Sequence, residues 1–386
     1  MKLKKMVALG LAAVMSVSLL AGCGSSSDSD SASTDGTEGT KVETKHHKIG
    51  VGLYTDQGQS VEAIHAYLDG IQDVIDCEFQ YVTLSTYDEA TNLSLVQDLI
   101  SSGCEGIIMT ADMGTNSILA ECESAGVYTA GFLCDFNQSY ATAHDEVFGN
   151  EYFLGTVCDG YAVPTKYGEM VAEKVAEAGY KNIGVLTFPS WAYPNQAEVD
   201  AAFRAKLKEL NPEANVYDTV ELQFSPLEET YLSEHPEMDC LFSVAAGASF
   251  VYPILVGAGK TDIALYTTGF EATDDIENFG TNGNGCFKGA MCSAAETIVY
   301  PLCLLIDKLN GTQYADLPEV SERVDCEPYI ILSNEDMDKM QKTLTCTLDM
   351  ADAVFSGEDV LNMCASYNSE ATYAGLVEAM SKTGLN

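Results

Sequence analysis

The stretch DEATNLSLVQDLISSGCEGIIMTADMGTNSILAECESAGVYTAGF, residues 88–132, decides the fold. Asp88 stands where a helix N-cap would, and Leu93, Val96, Leu99 and Ile100 follow at the spacing of one helical face. Gly103 comes just after the last apolar position, as a helix-ending glycine does. Gly106 to Thr110 is short and largely apolar, which reads as a strand. A second helix is expected over Thr115 to Ala125, and a second strand over Val127 to Phe132. Strands alternating with helices of this length imply a parallel sheet with right-handed crossovers.

Outward from there the rhythm continues. Upstream, Lys48 to Tyr54 (KIGVGLY) reads as a strand. Val61, Ile64, Tyr67, Leu68, Ile71, Val74 and Ile75 form a helical face, and Phe79 to Leu84 a further strand. Downstream, the pattern pauses between Asn150 and Pro164 and resumes with a helix over Thr165 to Ala178. Strand Asn182 to Thr187 and helix Glu198 to Leu210 follow, then strands near Val216, Cys240 to Val244, Ile263 to Thr267 and Phe287 to Cys292. A helix over Ala294 to Leu309 and a strand over Tyr329 to Leu332 complete the set. Two such runs predict an α/β fold of two Rossmann-like lobes with parallel sheets. Residues 346–386 read as a helical extension packing through Met350, Val354, Leu361, Tyr373, Leu376 and Met380.

The N-terminus carries Lys2, Lys4 and Lys5 before the apolar run Met6 to Ala21, too short for a spanning helix and typical of a secretory signal. The run ends in Leu20-Ala21-Gly22-Cys23, which resembles a bacterial lipobox. That resemblance implies removal of residues 1–22 and a lipid on Cys23; an ordinary signal peptide is the plainer alternative. Residues 23–45 are Ser, Gly, Thr and Asp with almost nothing to bury, so a flexible tether is expected, spanning roughly 25 Å root-mean-square. The chain would then be extracytoplasmic and held at the cell membrane by the lipid anchor only.

The formal charge is −39, from 58 acidic and 19 basic residues. Nucleic acid is therefore a poor partner, because phosphate binding needs Lys and Arg. A solvated acidic surface explains the charge, and recognition of basic spots on a permease is a second use of it. Of 13 cysteines, those other than Cys23 form no CxxC pair and no His-linked metal spacing. Most lie in apolar runs and read as small core residues, with one or two disulfides left open.

Residues 88–132 resemble the type I periplasmic-binding-protein family, in its sugar-binding class. The match lies in Leu99, Ile100, Gly103, Glu105, Gly106, Ile107, Ile108, Asp112, Ala125, Gly126 and Val127. Thr268-Gly269-Phe270-Glu271 and Ile306-Asp307-Lys308-Leu309-Asn310-Gly311 look like two later elements of that family, so the resemblance covers roughly residues 46–340. It implies two lobes joined by a three-segment hinge, with crossings near Asn150 to Pro164, Glu271 to Asn284 and Leu317 to Asp325. The expected lobes are 46–150 plus 293–318, and 151–292 plus 319–345. It also implies a monomer that closes on a small polar ligand and presents it to an ABC transporter permease.

Ligand in an open α/β sheet sits beyond the C-terminal strand ends. The loop after the first strand offers Tyr54, Asp56, Gln57 and Gln59, although Asp56 could simply cap the next helix. Asp112 lies in the corresponding loop after the third strand and has the same alternative. Trp191 and Tyr193 follow the first strand of the second lobe; an aromatic there gives large contact area at little entropy cost, or packs on its own lobe. Glu271 falls at the family's cleft aspartate, or is a solvated loop acid, and Asp135 adjoins the family's Asp-Arg position. Asn150 lines either ligand or hinge.

The family's cleft arginine falls near Gln196 or Ala197, so the usual charged fork is largely lost and the cleft is more apolar and aromatic than the family norm. A sugar, glycoside or nucleoside-like ligand fits, as does an aromatic metabolite. No Walker A, HExxH, GxSxG or helix-opening GxGxxG is present, so no catalytic residues, metal or cofactor are expected and the chain reads as a binder. A ligand sensor for a membrane signalling partner is the nearer alternative, an extracellular α/β hydrolase the more distant one.

Overall fold

A computed structural model describes residues 44–136, 144–159, 162–190, 192–270 and 273–382. Its strands, in chain order, are β1 (His47–Leu53), β2 (Cys77–Thr83), β3 (Gly106–Met109), β4 (Tyr128–Phe132) and β5 (Phe153–Cys158). There follow β6 (Asn182–Thr187), β7 (Asn215–Val216), β8 (Val220–Glu221), β9 (Cys240–Ser243) and β10 (Ala264–Thr268). The last are β11 (Phe287–Cys292), β12 (Arg323–Asp325) and β13 (Tyr329–Ile331). They form two sheets. The first runs β12-β5-β4-β3-β1-β2 and is wholly parallel. The second runs β13-β11-β10-β9-β6-β7, with β8 also on β6, and only β13 is antiparallel.

Each sheet is covered on both faces, as parallel sheets require. In β1, Ile49, Val51 and Leu53 face one way, into a core shared with helices Gln59–Ile75 and Val299–Leu309. Gly50 and Gly52 face the other, against helix Glu89–Ser101; a Cβ on Gly52 would lie 2.6 Å from Leu95, so the glycines let that helix approach closely. The helix begins as the sequence indicates: the Asp88 carboxylate accepts the Thr91 N–H at 2.9 Å. Capping of this kind contributes about 1 kcal/mol. Gly103 takes φ +85° just past its end, a conformation glycine adopts without a Cβ penalty.

The lobe boundaries expected after Asn150 and Pro318 move, whereas the one expected after Cys292 stands, although its crossing lies beyond the expected Glu271 to Asn284. Residues 150–164 do not form a pause between lobes: Phe153–Cys158 is β5, seated between β4 and β12. Its register slips by one residue against β4, and Gly155 sits at the slip with φ +122°. This is a glycine bulge, and it breaks the period that would have marked a strand. The first change of sheet therefore follows Cys158 and the second follows Cys292. The third lies between Asp325 and Tyr329, because β12 pairs with β5 and stays with the first sheet.

The C-terminal extension forms short helices, Leu344–Thr347, Gly357–Met363 and Tyr373–Ala379. Phe355, Val360, Cys364, Tyr373, Leu376 and Met380 join the core beneath the first sheet. Asp307 fastens them, accepting the N–H groups of Ala365 and Ser366 at 2.8 Å each. The cysteines other than Cys23, which lies outside the described residues, are free thiols, all buried except the half-buried Cys346. Burial pushes the thiols of Cys77, Cys122 and Cys286 up to about 12, so they are inert core residues. No helix among the described residues is long and apolar enough to cross a membrane.

Glu296 is the most unusual core residue. It lies just after the second change of sheet, 1% exposed, with no cation beside it among the described residues. No hydrogen bond of good geometry reaches its carboxylate. Burial pushes the carboxyl up, and the nearby Val354 N–H and Tyr329 hydroxyl offset only part of that.

Candidate functional site: a cleft between the two sheets

The loops at the C-terminal ends of both sheets meet across an open cavity of about 330 Å³. This is where open α/β sheets bind ligands, because helix N-termini and free backbone amides converge there. The first sheet contributes Tyr54, Tyr87, Thr110, Asp112, Leu133, Cys134, Asp135 and Asp159. The second contributes Phe188, Tyr193, Gln196, Val244, Ala246, Thr268, Met291 and Ser293.

The first-sheet wall is tied down by short hydrogen bonds. The Thr110 hydroxyl donates to the Gly52 carbonyl and accepts the Tyr54 N–H, each at 2.9 Å, linking the loops after β1 and β3. Asp112 is 7% exposed, and one of its oxygens accepts the Phe136 N–H at 3.0 Å. Burial pushes this carboxyl up to about 6, against the pull of that N–H. Asp159, half-buried at the end of β5, is likewise pushed up to about 6 by burial, with Asp135 and Asp325 adding repulsion. Asp135 is paired: the Arg323 guanidinium, from β12, donates to it at 2.5 Å.

The second wall is aromatic. Phe188 packs on Tyr193 with centroids 5.3 Å apart, stacks on Phe224 at 5.0 Å and meets Phe250 edge-on at 5.3 Å. Rings in such offset and edge-on arrangements lock one another. Gln196 fixes the loop by accepting the Phe188 N–H at 2.6 Å. Tyr193 reaches toward the opposite wall: its phenol is pushed up by burial, eased by a hydrogen bond from Tyr87 and raised again by Asp112 and Asp159. Leu133 and Ala246, on opposite walls, both have positive φ (56° and 39°). Left-handed backbone at non-glycine residues costs about 1 kcal/mol or more and clusters at ligand clamps.

The structure brings Tyr54, Asp112, Asp135 and Tyr193 of the expected residues to this cavity. It does not bring Asp56, Gln57, Gln59 or Asn150. Asp56 and Gln57 are exposed beside it, and the Gln59 amide instead donates to the Cys346 carbonyl at 3.1 Å. Asn150 lies at the N-terminal end of β5, where its amide oxygen accepts the Tyr152 N–H at 2.8 Å and the side chain lines a second cavity. The bulged strand extends the first sheet past Asn150 and carries Asp159 to the cleft in its place. Trp191 and Glu271 lie outside the described residues. Sequence reasoning missed Asp159, Tyr87 and Arg323; the apolar run Phe153–Cys158 ending in Asp159 was the available signal for the first. Among the described residues no group of three or more His, Cys, Asp or Glu could hold a metal ion.

Two parallel-dominated sheets joined by crossing segments, with a ligand-sized cleft at their C-terminal edges, are the type I periplasmic-binding-protein fold, and the chain has it. No protein-family model matches the sequence, and no curated protein matches it. Solved structures do. An ABC transporter solute-binding protein from Burkholderia graminis C4D1M, in complex with D-arabinose, matches with TM-score 0.57 at 16% identity, over 76% of this chain and 97% of that one. A 5-methylthioribose transporter solute-binding protein from Thermotoga lettingae TMO matches with TM-score 0.56 at 13% identity, over 87% and 98%. A protein from Mycobacterium smegmatis in complex with β-D-fucofuranose matches with TM-score 0.58 at 15% identity, over 76% and 94%. The chain is consistently similar to sugar-binding proteins of ABC transporters, and at these identities the likeness establishes the fold.

Proposed function

We propose that the chain is an extracytoplasmic solute-binding lipoprotein that closes its cleft on a small polar ligand and delivers it to an ABC transporter permease. The observation that carries this reading is the cavity itself. It is lined by the loop ends of both sheets, so any ligand within it couples the two halves. A sugar, glycoside or nucleoside-like body suits a cleft with hydroxyl acceptors on one wall and rings on the other. The solute-binding neighbours, crystallised with D-arabinose and 5-methylthioribose, support that size and class. The lipobox-like Leu20-Ala21-Gly22-Cys23 supports anchoring at the membrane through Cys23.

No reaction is assigned to the site. Its carboxylates face rings and thiols, an arrangement suited to holding a solute. Thermal-shift measurements on the purified chain against sugars, glycosides, nucleosides, amino acids and aromatic acids test the reading. A solute at about 100 times its dissociation constant stabilises the fold by about 2.7 kcal/mol. Absence of any shift across the panel, or turnover of the solute that gives the shift, would refute a binding-only role.

A further inference from the structure

The charge around the cleft is one-sided. Asp112, Asp135 and Asp159 line it, and among the described residues no Lys, Arg or His does. In the sequence, no Lys or Arg occurs between Lys48 and Lys166, the stretch that carries most of the first wall. Arg323 is the one guanidinium that reaches the first wall, and Asp135 holds it at 2.5 Å. Among the described residues, Asp112 and Asp159 are therefore left facing the cavity with no cation beside them. Opposite stand the faces and edges of Phe188 and Tyr193, with Tyr54 and Tyr87 at the first wall. Aromatic faces attract positive charge through their quadrupole, and buried carboxylates do so more strongly.

Resting on the solute-binding reading above, we propose that the cleft takes an organic ammonium, a ring-bearing solute with a protonated nitrogen such as an amino sugar, with Asp112 and Asp159 as its counter-charges. An uncharged sugar can donate hydroxyl hydrogen bonds to both carboxylates but leaves the cost of their uncompensated charge. An ammonium group removes that cost while its ring packs on the second wall. The titratable groups facing these carboxylates are Asp135, Asp325, the Cys134 and Cys326 thiols and the Tyr193 phenol, while the Arg323 guanidinium is taken up by Asp135. None of them replaces the missing positive charge.

Calorimetry at pH 7 with two matched pairs tests this: D-glucosamine against D-glucose, and tyramine against 4-hydroxyphenethyl alcohol. In at least one pair the cationic member should bind tenfold or more tightly than its neutral partner. That preference should shrink severalfold at pH 5, as Asp112 and Asp159 take up protons. Asp112→Asn and Asp159→Asn should each cut it tenfold, with thermal midpoints at or above the parent's showing that both variants fold. Neutral members binding as tightly as cationic ones, or no member binding at millimolar concentration, would overturn the ammonium assignment. The solute-binding reading would survive either result if a neutral sugar or nucleoside stabilises the chain, and would fall only with an unresponsive panel.

Discussion

The first-sheet wall of the cleft is built of carboxylates on tightly hydrogen-bonded loops, whereas the second-sheet wall is built of interlocked rings. The first offers charge and direction: Asp112 is held by the Phe136 N–H, and Thr110 binds two loops together. The second offers area: Phe188 and Tyr193 line the cavity, backed by Phe224 and Phe250, and rings so packed cost little entropy to order. A ligand satisfying both has a polar, preferably cationic edge and an apolar face. The difference also separates stability from function, since buried carboxylates strain the fold while buried rings hold it together.

That contrast can be broken most decisively on the aromatic side. Phe188→Ala removes the ring touching three others, and should destabilise the chain by about 3–5 kcal/mol and abolish solute binding. Denaturant unfolding and the thermal-shift response would both report it. On the acidic side, Asp112→Asn should go the other way, leaving the ligand-free chain more stable at neutral pH by about 1–3 kcal/mol while weakening binding. Loss of stability there would mean that the Phe136 N–H, not the ligand, is the partner that matters.

The pH dependence of the ligand-free chain follows from the same carboxyls. Asp112 and Asp159 are pushed up to about 6 in the fold, above an unfolded value near 3.8, so the folded state binds more protons between those limits. The thermal midpoint should therefore rise as pH falls from 7.5 to about 5. Glu296 shifts in the same direction for the same reason, burial. Glu296→Gln should stabilise the chain by about 1–3 kcal/mol at pH 8, an advantage that shrinks toward pH 4. The smallest expected effect is at Arg323, which neutralises Asp135. Arg323→Gln should raise the affinity for cationic solutes about threefold and leave neutral ones unchanged, because a half-buried charge already paired with Asp135 is partly screened.

Much of the fold was legible because its elements are locally marked. Asp88, the Leu93–Ile100 face and Gly103 define one helix completely, and helix Thr115–Ala125 and strand Phe287–Cys292 fall on their expected residues. Where the local mark fails, so does the reading. Gly155 interrupts the alternation of β5, and β8 and β12, at two and three residues, are too short to show a period. Those omissions displaced the first and third lobe boundaries and hid Asp159, which owes its place in the cleft to long-range pairing of β5 with β4 and β12, and Arg323, which reaches Asp135 from β12. Of the expected site residues, Tyr54, Asp112, Asp135 and Tyr193 reach the cavity, each in a loop that follows a recognised strand. Asn150 lies away from that cavity because it precedes a strand that went unrecognised.

The account stands most directly on one calorimetric titration, of the solute giving the largest thermal shift against the parent chain and the double variant Asp112→Ala, Tyr193→Ala. One site per chain, lost from the variant by a hundredfold or more in affinity while its fold is retained, is the expected result. A titration unchanged by removing one residue from each wall would place the solute elsewhere and contradict the cleft as the binding site.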